Sequence, residues 1–110
     1  MSNEITATVG EQRDVLALAY WLSKNHPSLP VPYFTVHSYF TTTLGIQVEH
    51  SAFEAWREAL GLGTEVVDLR VLESGAYLRA AGKSQDVQVE LTGMGLSKLA
   101  ARPAPMVVAA

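Results

Sequence analysis

There is no cysteine in this chain of 110 residues. Disulfides, thiolate metal sites and cysteine nucleophiles are therefore excluded, and a reducing cytoplasm is the expected setting. Positive charge is scarce too: 8 Lys and Arg face 11 Asp and Glu, for a formal net charge of −3. Residues 1–55 carry five acids against two bases, whereas residues 56–110 carry six of each. Neither half has the basic footprint that drives nonspecific nucleic-acid binding, so nucleic acid is a disfavoured partner. Long apolar runs are missing as well. The most apolar stretch, residues 15–22, is far short of the ~20 residues a membrane helix needs. Met1-Ser2-Asn3-Glu4 has neither the basic cluster nor the apolar run of an export signal. The expectation is a protein with no membrane partner.

What is present fits one domain of about 100 residues, large enough to build a core without staples. Residues 1–8 read as a lead-in, 9–101 as the domain and 102–110 as a tail. Thr8 and Glu11 have capping-box spacing. The helix they open runs to Asn25, with Val15, Leu18 and Leu22 as its apolar stripe. Asn25-His26-Pro27 ends it. After a proline-bearing connector, residues 33–40 alternate, with Phe34, Val36 and Phe40 facing the core. Residues 44–50 do the same with Leu44, Ile46 and Val48. Thr41-Thr42-Thr43 between them predicts a hairpin that sets Val36 opposite Val48 and His37 opposite Gln47.

A second capping box, Ser51 with Glu54, opens a helix whose stripe is Phe53, Trp56 and Leu60. Gly61 closes it, and Leu62 folds back. Glu54, Arg57 and Glu58 read as a solvated helix face. Three strands follow: residues 65–72 with Val67, Leu69 and Val71 inward, 76–81 with Leu78 and Ala80 inward, and 87–92 with Val89 and Leu91 inward. Ser74-Gly75 is the expected first turn, residues 82–86 a polar loop, and Gly93-Met94-Gly95 the end of the last strand. Residues 96–101 read as a short helical turn. The order α-β-β-α-β-β-β predicts an α+β two-layer sandwich: a mostly antiparallel five-stranded sheet with two helices on one face.

Chemistry leaves few marks. His26, His37 and His50 lack metal-ligand spacing, and no metal or other cofactor is expected. His37 and Ser38, a candidate base and nucleophile, are strand neighbours and so point to opposite faces. Paired carboxylates are scattered, and Gly93-Met94-Gly95 continues into no phosphate-binding motif. No catalytic residue is assigned, and the chain reads as a non-enzyme.

The informative feature is the sheet face turned away from the helices. With a Ser74-Gly75 turn, Arg70 meets Arg79 and Leu72 meets Tyr77. The following hairpin sets Arg79 beside Glu90 and Tyr77 beside Thr92. Tyr33, His37 and Tyr39 extend the same face. Arginine and tyrosine are enriched in binding hot spots, and exposing Leu72 among them calls for a partner. The candidate interface is therefore Arg70, Leu72, Tyr77, Arg79, Glu90, Tyr33, His37 and Tyr39, receiving a protein partner or a second copy in a homodimer. Two alternatives stand beside it. One is nucleic-acid binding through Arg57, Arg70, Arg79 and Lys83. The other is a small-molecule binder or hydrolase with a pocket between sheet and helices.

Phe53-Glu54-Ala55-Trp56-Arg57-Glu58-Ala59-Leu60-Gly61, Tyr77-Leu78-Arg79-Ala80 and Val87-Gln88-Val89-Glu90-Leu91-Thr92-Gly93 together resemble small proteins of high-GC bacteria and of their mobile elements or phages. That family has no assigned activity. The resemblance covers about half the chain and rests on caps, core and turns. It implies an accessory role and transfers no functional residues.

Overall fold

The computed structural model describes residues 8–38 and 41–96. Thr8 caps a 3-10 turn, Val9–Gln12, through the expected reciprocal box with Glu11. The chain then enters helix α1, Arg13–Asn25, which buries Val15, Leu18 and Leu22. Strands β1, Tyr33–Ser38, and β2, Thr42–Glu49, form the first hairpin. A 3-10 turn, His50–Ala52, leads into helix α2, Phe53–Leu60, and a second, Thr64–Val66, leads into strand β3. Strands β3, Val67–Leu72, β4, Gly75–Ser84, and β5, Val87–Leu96, complete a five-stranded sheet in the order β1-β2-β5-β4-β3. The pairing of β2 with β5 is parallel and the other three are antiparallel. Both helices pack on one face, where their stripes meet Leu44, Ile46, Val48, Ala80, Val89 and Leu91 in one core. The α+β order and the single helical layer are as the sequence predicts.

Register is where expectation and structure part. In the first hairpin Val36 lies opposite Leu44, and His37 opposite Thr43 rather than Gln47. Thr42 and Thr43 belong to β2 instead of the loop, in keeping with the strand preference of β-branched residues. The hydroxyls of Ser38 and Thr42 are 3.0 Å apart across the strands, and Gln12 Nε2 donates to Ser38 Oγ at 3.4 Å. The slip is an even number of residues, so the apolar set stays on the core face. Phe40 and Tyr39 lie outside the described residues, as do residues 97–110, with most of the expected helical turn and the tail.

The second hairpin turns at Glu73-Ser74, one position earlier than expected. Arg70 therefore faces Tyr77, and Arg79 faces Asp68, so no pair of arginines is opposed. Like charges directly opposite are unfavourable, and this register avoids them. The third hairpin is longer than expected. Residues 82–84 belong to β4, and only Gln85-Asp86 turn the chain, both with positive φ. That is the mark of the type I′ turn, whose twist matches flanking strands. Ala80 then pairs with Leu91 rather than Val89. The last strand runs through Gly93-Met94-Gly95 to Leu96 instead of ending there.

Two further corrections concern α2. Ser51 forms no side-chain cap, because it lies inside the 3-10 turn and Ala52 holds the N-cap position, while Glu54 is taken by Arg57, at 3.0 Å to Nε and 2.8 Å to Nη2. Arg57 is also not solvated: its side chain is only 10% exposed and reaches the Leu62 carbonyl. Burial removes it from any nucleic-acid surface. Finally, Leu69 and Val71 of β3 point to the helical side yet are 41% and 53% exposed. Helix α2 is eight residues long and packs on β4 and β5, so the far half of the β3–β4 hairpin projects beyond the helical layer.

Candidate protein-interaction face

The face opposite the helices takes its side chains from alternate positions of all five strands. One cross-strand row runs Tyr33, Gln47, Thr92, Arg79 and Asp68, from one edge of the sheet to the other. Beside it, Arg70 lies opposite Tyr77. At Tyr77 the β4–β5 ladder is broken by a bulge: Leu78 pairs with Gly93, but Ala76 pairs with Leu96. The extra residue on β5 falls at Gly95, whose φ of 93° suits glycine. Across the bulge from Tyr77, Met94 joins the outer face, and it is exposed.

These residues enclose a shallow hollow of about 390 Å³ lined by Gln47, Leu72, Tyr77, Arg79, Glu90, Thr92 and Met94. Four of the expected interface residues, Leu72, Tyr77, Arg79 and Glu90, thus converge, and Arg70 adjoins them. Tyr33 lines a neighbouring hollow with Val31, Pro32, Val48 and Glu49. Gln47 and Met94 line both hollows and make them one surface. His37 shares the face but sits at its other end, in the row of Thr43, Gln88 and Lys83. Tyr39 lies outside the described residues. Gln47 and Met94 join the site without having been candidates. The signal for Gln47 was its place on the other face from Leu44, Ile46 and Val48 in the alternation of β2; that for Met94 was the alternation Gln88, Glu90, Thr92, Met94, which a glycine on each side of Met94 obscures.

Charges on this face are ordered. Arg79 binds Glu90 through Nε, at 3.1 Å, and through Nη2. Arg70 Nε donates to Asp68 Oδ2 at 2.6 Å on the rim. That hydrogen bond, and then the Asp68 charge, hold the Arg70 guanidinium above its ordinary pKa. The face thus alternates fixed ion pairs with apolar surface from Leu72, Tyr77 and Met94, the composition of a protein-binding patch.

A second hollow, about 300 Å³, opens on the helical side between the end of α1, β1 and α2. Leu22, Leu29, Phe34 and Trp56 dominate it. Two of its polar groups are engaged: Trp56 Nε1 donates to the Pro30 carbonyl at 2.8 Å, and Ser23 Oγ to the Tyr20 carbonyl at 2.7 Å. Among the described residues no triad or carboxylate pair is assembled there. Among the described residues no group of three His, Asp or Glu is placed to hold a metal ion, and no helix is long and apolar enough to cross a membrane. No protein-family model matches the chain, and neither a curated protein nor a solved structure is significantly similar to it.

Proposed function

We propose that this chain is a non-enzymatic interaction or assembly module that binds a protein partner through the outer face of its sheet. The observation that carries this reading is the convergence of Leu72, Tyr77, Arg79, Glu90 and Met94 around one open hollow on the face opposite α1 and α2. Leu72 is 52% exposed there, which an unpartnered surface does not favour. The lack of cysteine suits a cytoplasmic setting, and the sequence resemblance suits an accessory role in a phage or mobile element. Nucleic acid fits less well: Arg57 is buried, and Arg70 and Arg79 are already paired with carboxylates.

The test compares wild type with Arg79→Glu and Tyr77→Ala. Each is immobilised to capture proteins from the native host, and each is weighed by light scattering over a concentration series. The expected result is association by wild type that both variants lose while their melting curves stay cooperative. A wild-type dimer dissociated by Arg79→Glu would identify the partner as a second copy on this face. Identical association by all three proteins would overturn the reading.

A further inference from the structure

The sheet has two edges, and they are not alike. The β1 edge follows Pro30 and Pro32, and α1 packs against β1. Proline near an edge is one of the devices by which sheets avoid joining other chains. Among the described residues the β3 edge has no proline before or within it, and its only charges, Asp68 and Arg70, are one of each sign. Residues 67–72 include no proline and no lysine, the β3–β4 ladder has no bulge, and the residues pointing to the helical side are Val67, Leu69 and Val71. From Asp68 to Leu72 every residue is exposed, and three of those five are apolar.

The order of residues along this edge is self-complementary. Val67-Asp68-Leu69-Arg70-Val71 reads the same from either end, except that the acid and the base change places. Two copies related by a two-fold axis normal to the sheet would pair antiparallel, each keeping its helices on the same side. Centred on Leu69, such a pairing sets Asp68 of each copy opposite Arg70 of the other. It also sets Val67 opposite Val71, and Leu69 opposite itself. Moving the centre to Asp68 or to Arg70 opposes like charges, so one register is singled out. The helical layer does not obstruct it, because α2 packs on β4 and β5.

We infer that two copies of this chain join through their β3 edges, antiparallel and centred on Leu69, to form one continuous ten-stranded sheet. The inference deepens the interaction-module reading by naming a second copy as a partner, yet it stands on the edge and not on the hollow. It makes the two outer faces one surface, with Leu72 and Tyr77 of each copy beside the seam. Main-chain hydrogen bonds supply the affinity, and Asp68–Arg70 cross-pairs, formed in exchange for the pair within each chain, set the register.

Light scattering across a concentration series tests it with wild type, Asp68→Arg, Arg70→Asp and an equimolar mixture of the two variants. Wild type is expected to dimerise. Each variant alone opposes like charges twice at the seam, which raises the dimer dissociation constant by about tenfold or more. Mixing restores the dimer, because one variant then offers only bases where the other offers only acids. The recovery also shows that both variants are folded. A wild type that stays monomeric overturns the inference and leaves the outer face free for a different partner. A wild-type dimer indifferent to both substitutions, but lost in Arg79→Glu, also overturns it and places the contact on the outer face. A dimer that follows the charge pattern and survives Arg79→Glu supports the edge, whatever the fate of the face.

Discussion

Arg57 and Leu62 hold each other from both directions. The Leu62 amide donates to the Arg57 carbonyl at 3.1 Å, and Arg57 Nη1 donates to the Leu62 carbonyl at 2.6 Å. Gly61 lies between Leu60 and Leu62 in the left-handed region, with its own amide on the Glu58 carbonyl at 3.0 Å. This is the Schellman closure of a helix, reinforced by a side chain. It carries the buried Leu62 over the sheet, where its Cδ2 approaches Gly82. Arg57→Lys keeps a cation but loses the planar fork that serves Glu54 and Leu62 together. The expected outcome is a lower thermal midpoint for Arg57→Lys, and a lower one still for Arg57→Ala, read by circular dichroism. Unchanged melting would show that the clasp contributes nothing.

The Glu54 carboxyl is held below the usual carboxylate range, chiefly by its hydrogen bonds from Arg57. A carboxylate whose folded pKa is depressed stabilises the fold fully above its unfolded pKa. That contribution is lost as the pH falls through the folded value. The carboxylate is 65% exposed, so solvent screening limits the effect to a few tenths of a kcal/mol. Glu54→Gln should therefore melt slightly below wild type at neutral pH. The gap should close as the pH falls from the ordinary glutamate range toward more acidic values. A gap that persists at low pH would contradict the assignment.

How much of this was legible in the sequence follows from what each signal measures. Hydrophobic alternation reports faces, and it placed Leu44, Ile46, Val48, Val89 and Leu91 correctly in the core. It is blind to slips of two or four residues, which leave every side chain on its own face. Hence Arg70 met Tyr77 rather than Arg79. The Arg79–Glu90 contact was foreseen and exists, but as a diagonal neighbour, because Arg79 pairs with Thr92. Leu72, Tyr77, Arg79 and Glu90 still meet around one hollow because they share parity. The parallel β2–β5 pairing was not legible, since nothing local records which strand a crossover reaches. Nor was the exposure of Leu69 and Val71, which depends on where a short helix stops.

Gly93 illustrates a residue whose meaning only the packing reveals. Sequence gives it as a strand terminator, yet it sits within β5 beneath α2. A Cβ built there would lie 2.9 Å from Phe53 Cδ2, 3.1 Å from Phe53 Cβ and 3.3 Å from the backbone of His50. Phe53 is fully buried and cannot swing away. Gly93→Ala should therefore overpack the core and cost about 1–3 kcal/mol in chemical denaturation. No loss of stability would mean that α2 sits further from the sheet than this packing requires.

Trp56 ties α2 to the connector before β1. Its ring is buried, meets Phe34 edge-to-face at 6.0 Å, and donates through Nε1 to the Pro30 carbonyl at 2.8 Å. Trp56→Phe keeps most of the ring contact and removes the hydrogen bond, for an expected loss of about 1–2 kcal/mol. Trp56→Ala empties the site and should cost about 3–5 kcal/mol. Near-equal losses in the two variants would show that the hydrogen bond, not the packing, fixes the connector.

The turn at Gln85-Asp86 offers a prediction of the opposite sign. Both residues hold positive φ, 52° and 66°, a conformation that glycine, asparagine and to a lesser degree aspartate accept and that the Gln85 side chain resists. Ser84 and Val87 pair directly on either side, so the turn has no slack through which to relax. Replacing the two residues by Asn-Gly should relieve roughly 1 kcal/mol of strain and raise the thermal midpoint. The register should not move, because the turn keeps its length. Arg79 should then still bind Glu90, and the outer face should bind as wild type does. Stabilisation with unchanged association would separate the fold of this hairpin from its function. A loss of stability would mean that Gln85 or Asp86 makes a contribution outweighing its strained backbone.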